Sequence, residues 1–166
     1  MFVVESHSDK GTADFYASLG KQLAALTSSE PDLIANLANI SAVLYDQIDR
    51  LNWLGFYIVK QDELVLGPFQ GKVACVRIGH GKGVCGAAWA TGKTQRVDDV
   101  HAFPGHIACD SASNSELVVP IFYQGKVVAV LDIDSPETER FTADDQAGVE
   151  ALMPVFEQLA WDQVAA

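Results

Sequence analysis

Apolar residues recur at helical spacing near both ends of the chain, while its middle is built from short aromatic and β-branched runs. Residues 12–26 carry Phe15, Leu19, Leu23 and Leu26 on one helical stripe. Ser28-Ser29-Glu30-Pro31 predicts a second helix start with proline at an early helical position, and Leu33, Ile34, Leu37, Ile40, Leu44 and Ile48 form its apolar face. From Asn52 the pattern turns to β: a strand over 53–59, a turn at Gln61-Asp62, a strand over 63–66 and a third over 74–78. Gly79, Gly81 and Gly83 then lead into a short helix over 84–90 that ends at Gly92, and 95–97 reads as a brief strand. Residues 98–115 form a long polar loop, a length that in compact domains usually marks function or disorder. Strands over 116–122 and 127–134 flank a Gln124-Gly125 turn. The last helix opens on Thr142-x-x-Asp145, a capping box with Asp in place of Glu. It carries Val149, Leu152, Met153, Phe156 and Leu159, and Pro154 is expected to kink it. Helices at both ends of a mainly antiparallel sheet predict one α+β domain over residues 1–166, its terminal helices packed on one side of the sheet.

Composition narrows the functional classes. The 166 residues are 49% hydrophobic, enough for a core without disulfide or metal staples. A formal net charge of −11 disfavours phosphate backbones and anionic lipid surfaces, so neither nucleic acid nor membrane is expected as a partner. No basic segment followed by an apolar core opens the chain, and no apolar run is long enough to span a bilayer, so a cytoplasmic location is expected. Thiols there are reduced by default, which gives the three cysteines, Cys75, Cys85 and Cys109, their interest.

The strand over 127–134 ends in Asp132-Ile-Asp134, and its period of two puts both carboxylates on one face, opposite Leu131 and Ile133. One reading is a frayed strand end in water; the other is a cradle for an ammonium group or a source of one proton. Glu116 opens the partner strand, but a plain two-residue turn at Gln124-Gly125 pairs it with Ile133 and points it to the wrong face. If the three acids share a site, an irregularity is required between Glu116 and Val127, and Pro120 is the natural place for it. Cys109 lies in the polar loop just before Glu116, unlike a core cysteine. Cys85 begins the short helix, where free amides and the dipole favour a thiolate, and Cys75 falls on a predicted strand. Zinc is disfavoured because close Cys-x-x-Cys pairs are lacking, so no metal is expected. Trp53 and Tyr57 share one strand face and are either core or the wall of an apolar pocket.

These motifs together resemble the free methionine-R-sulfoxide reductases, a GAF-like family. The likeness is carried by Leu51-Asn-Trp-Leu-Gly-Phe-Tyr57, Leu66-Gly-Pro-Phe-Gln-Gly-Lys-Val-Ala-Cys75, Gly83-Val-Cys-Gly-Ala-Ala88, His106-Ile-Ala-Cys-Asp110, Ser115-Glu-Leu-Val-Val-Pro120 and Ala129-Val-Leu-Asp-Ile-Asp-Ser135. The resemblance implies reduction of free methionine-R-sulfoxide, with Cys109 attacking, Cys75 resolving as its disulfide partner and Cys85 as the third cysteine. It further implies an acidic pocket of Glu116, Asp132 and Asp134, substrate-facing Trp53 and Tyr57, no bound cofactor, thioredoxin or a similar dithiol as reductant, and pairing of two copies through terminal helices. The reading of another class is a GAF sensor module that binds a small ligand without catalysis.

Overall fold

The computed structural model of the chain describes residues 1–5, 8–107 and 109–164. Six antiparallel strands form one sheet in the order β3-β2-β1-β6-β5-β4: β1 (Trp53–Lys60), β2 (Glu63–Gly71), β3 (Arg77–Gly79), β4 (Gln95–Val97), β5 (Ser115–Tyr123) and β6 (Lys126–Ser135). Helices α1 (Ala13–Thr27), α2 (Leu33–Gln47), α4 (Ala143–Glu150) and α5 (Met153–Glu157) share one core with one face of the sheet. Helix α3 (Gly83–Thr91) lies over the other face. The α+β arrangement and its antiparallel sheet agree with the sequence pattern.

Alternation along the central strands separates two cores. Leu54, Phe56, Ile58, Leu117, Val119, Ile121, Ala129, Leu131 and Ile133 face the terminal helices. The intervening Trp53, Tyr57, Val118 and Val130 form a second cluster with Ile78 of β3 and with Val84 and Cys85 of α3. Gly55 sits between Trp53 and Tyr57, and a Cβ there would stand 2.8 Å from the Trp53 ring and 2.3 Å from Phe69 Cβ. Its missing side chain lets Trp53 lie between Tyr57 and Phe69, with ring centroids 5.9 and 5.1 Å away.

Several boundaries differ from the sequence reading. Asp32, not the Ser28–Pro31 stretch, caps α2, accepting from the Ala35 N–H at 2.8 Å. Ile34 falls outside the apolar stripe and is 48% exposed. Strand β2 runs on to Gly71, bulging where Gly55 and Tyr57 of β1 meet Phe69 and Leu66. The predicted strand over 74–78 shrinks to Arg77–Gly79, which leaves Cys75 in the β2–β3 loop. That loop finds side-chain partners in place of strand partners: Trp53 Nε1 donates to the Lys72 carbonyl at 3.1 Å and the Tyr57 hydroxyl to the Cys75 carbonyl at 2.9 Å. The Thr142–Asp145 capping box forms as expected. The final helix divides into α4 and α5, since Pro154 has no N–H for the Glu150 carbonyl and stands instead in the first turn of α5, just after Met153.

Candidate active site

The hairpin of β5 and β6 sets the position of the acids. Gln124 and Gly125 form a two-residue turn, both with positive φ (51° and 79°), between paired Tyr123 and Lys126. Ile121 pairs with Ala129 and Phe122 with Val127, leaving Val128 as the extra residue. The required irregularity is present, but as a bulge at Val128 on β6 rather than at Pro120, which pairs regularly with Val130. The single extra residue restores the parity: Glu116 pairs with Asp134 and Val118 with Asp132.

Glu116, Asp132 and Asp134 therefore converge beneath α3, and only 7%, 6% and 7% of their surfaces reach solvent. The frayed-end reading of the two aspartates is excluded by that burial. Burial and mutual repulsion push Glu116 and Asp134 well above the ordinary carboxylate range, and burial raises Asp132 as well. Oδ1 of Asp132 and Oδ1 of Asp134 are buried without a hydrogen-bond partner. Such burial favours the protonated forms of these acids, while the unpartnered oxygens leave acceptor capacity for a cation.

Cys85 reverses its expectation. It does lie in the first turn of α3, but it is fully enclosed, and burial together with the Asp132, Glu116 and Asp134 charges pushes its thiol well up. Desolvation and three nearby acids outweigh the half-charge of a helix end. Sγ of Cys85 and carboxylate oxygens of Glu116 and Asp132 lie within 4.8 Å of one another, a proximity that the cysteine spacing did not foretell.

Cys109 forms a disulfide with Cys75, their Cα atoms 5.3 Å apart. A cavity of about 40 Å³ brings Cys109 together with Tyr57, Cys85, Glu116, Asp132 and Asp134. Trp53 is not on its wall; it stands behind Tyr57, 2% exposed, and the Tyr57 ring takes the lining position. Lys82 and Ser113 also line the cavity and were not singled out from sequence, while His106, Ile107 and Asp110, which line it too, were read only as part of the motif around Cys109 and given no pocket role. Asn52 was missed too. Its Nδ2 donates to Asp110 Oδ2 and to Ser113 Oγ, both at 3.0 Å, while its backbone N–H donates to the Asp134 carbonyl at 3.0 Å. It thus ties the Cys109 loop to the strand of acids. The signal was available in Cys109-Asp110 and Asn52-Trp53, each beside a residue already chosen.

A six-stranded antiparallel sheet with terminal helices on one face and a cavity on the other is the arrangement of a GAF domain, and residues 28–158 match the GAF domain family model. The chain is 51% identical over 146 residues to free methionine-R-sulfoxide reductase of Escherichia coli (strain K12), covering 88% of each. It is 57% identical over 148 residues to protein YtsP of Bacillus subtilis (strain 168), covering 88% of this chain and 90% of that one. The X-ray structure of free methionine-R-sulfoxide reductase from Neisseria meningitidis in complex with its substrate superimposes with a TM-score of 0.90, at 43% identity and 95% coverage of both chains. The chain belongs to the free methionine-R-sulfoxide reductase family.

Proposed function

We propose that this chain reduces free L-methionine-(R)-sulfoxide to L-methionine through thiol chemistry at Cys109. The observation that carries the reading is the meeting of Cys109, already bonded to Cys75, with three buried acids at one cavity. A sulfoxide is a poor electrophile until its oxygen is protonated. Glu116 and Asp134, held protonated by burial and repulsion, are the proton sources. Asp132 accepts the substrate ammonium, a role that suits its unpartnered Oδ1. The Cys109 thiolate attacks the sulfoxide sulfur as the oxygen takes up a proton. The substrate sulfur gains two electrons and leaves as methionine, and Cys109 becomes a sulfenic acid. Cys75 displaces the hydroxyl as water and forms the disulfide, and a dithiol such as thioredoxin returns both thiols. Tyr57, backed by Trp53, supplies the apolar wall for the methyl group on sulfur that separates the R from the S epimer.

Cytoplasmic location and pairing of two copies belong to the same proposal. No helix among the described residues is long and apolar enough to cross a membrane. In a reducing compartment a disulfide of this kind is transient and catalytic. A GAF sensor reading leaves the paired cysteines and the raised acids without a role.

Methionine release is the test. The reduced protein should release methionine from the free R-sulfoxide, and not from the S epimer or from a peptide-bound residue, where the ammonium is gone. Cys109→Ser should abolish release, and Cys75→Ser should release one equivalent and then stall with thioredoxin. Release from both epimers at equal rates, or undiminished turnover by Cys109→Ser, overturns the proposal.

A further inference from the structure

Of the seven large apolar side chains exposed among the described residues, Met1, Phe2 and Val3 belong to the amino-terminal segment and Ile34 to α2. The other three flank the disulfide: Val73 at 88% exposure, Val76 at 63% and Ile107 at 40%. Their backbone is tied down on the Cys75 side. The Lys72 and Cys75 carbonyls accept from Trp53 and Tyr57, and the Val76 carbonyl accepts from the Leu66 N–H at 2.9 Å. Two stiff β-branched side chains are thus held out to solvent on an ordered loop, and covering them sacrifices little conformational entropy. Lys72, Arg77 and Lys82 are exposed around the same spot and enter no ion pair among the described residues, in a chain whose net charge is −11. The patch is apolar at its centre and cationic at its rim.

The two sulfurs are presented unequally. Both residues are half-buried, but Cys109 lines the cavity with the acids, whereas Cys75 does not line it and lies on the loop that carries Val73 and Val76. We infer that the surface of Val73, Val76, Lys72 and Arg77 docks a protein dithiol reductant that presents an apolar face with acidic surroundings, and that this partner attacks Sγ of Cys75. This inference rests on the proposed catalytic cycle, in which the disulfide needs an external dithiol. The first partner thiolate bonds to Cys75 as the Cys75–Cys109 bond breaks, and Cys109 leaves as a thiolate. The partner's second thiol then attacks the mixed disulfide, giving the partner's disulfide and releasing Cys75 as its thiol. Two electrons pass from the partner to the pair. Leaving from inside the cavity, Cys109 is returned directly to the position from which it attacks the next sulfoxide.

Reduction of the purified disulfide form by thioredoxin, without any methionine sulfoxide, tests the surface apart from the catalysis. In Val73→Asp/Val76→Asp the second-order rate should fall about tenfold or more, since an apolar contact is lost and acid faces acid. In Lys72→Glu/Arg77→Glu it should fall severalfold, with a weaker dependence on salt. Reduction by dithiothreitol and a single turnover of the pre-reduced protein should be unchanged in both. Thioredoxin with its second active-site cysteine replaced by serine should be trapped on Cys75, leaving Cys109 as a free thiol. Unchanged thioredoxin rates in the double aspartate variant, or trapping on Cys109, overturns the inference. An equal loss with dithiothreitol also overturns it, because the damage then lies in the disulfide and not in docking. Failure of the reduced protein to release methionine, with normal thioredoxin kinetics, strikes the catalytic reading alone.

Discussion

Two sets of buried acids lie in the same molecule under opposite rules. On the helical side, Asp145 is paired: Arg140 Nη1 donates to its Oδ2 at 3.1 Å and the Tyr16 hydroxyl to its Oδ1 at 2.7 Å. Its side chain also accepts from the Thr142 N–H at 3.0 Å. On the other side of the sheet, Glu116, Asp132 and Asp134 are also buried and face one another, with no Arg or Lys ion pair among the described residues and with two of their oxygens unpartnered. The first cluster locks α1 to the loop before α4 and is complete in itself. The second is complete only when protons or a cation are supplied. A protein tolerates such an arrangement where the missing partner is its substrate.

Substitutions should separate the two clusters by sign. Asp145→Ala leaves buried Arg140 with only the half-exposed Asp49 as counter-charge and frees the Tyr16 hydroxyl, and the loss should be about 2–4 kcal/mol in urea unfolding. Glu116→Gln keeps the shape but removes a buried acid, and it should stabilise the substrate-free fold by about 1–2 kcal/mol at pH 8. Turnover in the same variant should fall about a hundredfold through loss of the proton donor. If both substitutions destabilise alike, the second cluster is structural and the contrast is broken.

Acidity gives a smaller and graded distinction. A carboxyl whose folded pKa is raised contributes stability that is fully present below its unfolded value, about 4. That contribution is lost as pH rises through the folded value. Glu116 and Asp134 are both raised, so the substrate-free reduced protein should lose stability steadily from about pH 5 to pH 8. Glu116→Gln/Asp134→Asn should flatten that slope. A wild-type stability that rises with pH over this window contradicts the proposed proton inventory.

The same contrast marks where the sequence was readable. Period-two alternation was enough to put Asp132 and Asp134 on one face, because strand geometry is local. It also required a bulge to bring Glu116 round, but not its place: the bulge sits at Val128, while Pro120 pairs regularly with Val130. Cys75 looked like strand because Ala74-Cys-Val-Arg-Ile has β character, yet Trp53 and Tyr57 take the loop carbonyls through side chains remote in sequence. Cys85 was judged by its helix end alone, while the acids that govern its thiol arrive from β5 and β6. The identities of the reacting groups were legible, whereas the forces acting between distant elements were not.

The central claim is that Cys109 and Cys75, and not Cys85, carry the two electrons of sulfoxide reduction. Thiol titration of the reduced protein after one addition of free methionine-R-sulfoxide, with no external reductant, tests it most directly. Of the three cysteines, one should remain titratable, Cys85, with one methionine formed per chain and the S epimer leaving all three thiols intact. Three surviving thiols after the R epimer, or survival of Cys75 in place of Cys85, would contradict the account.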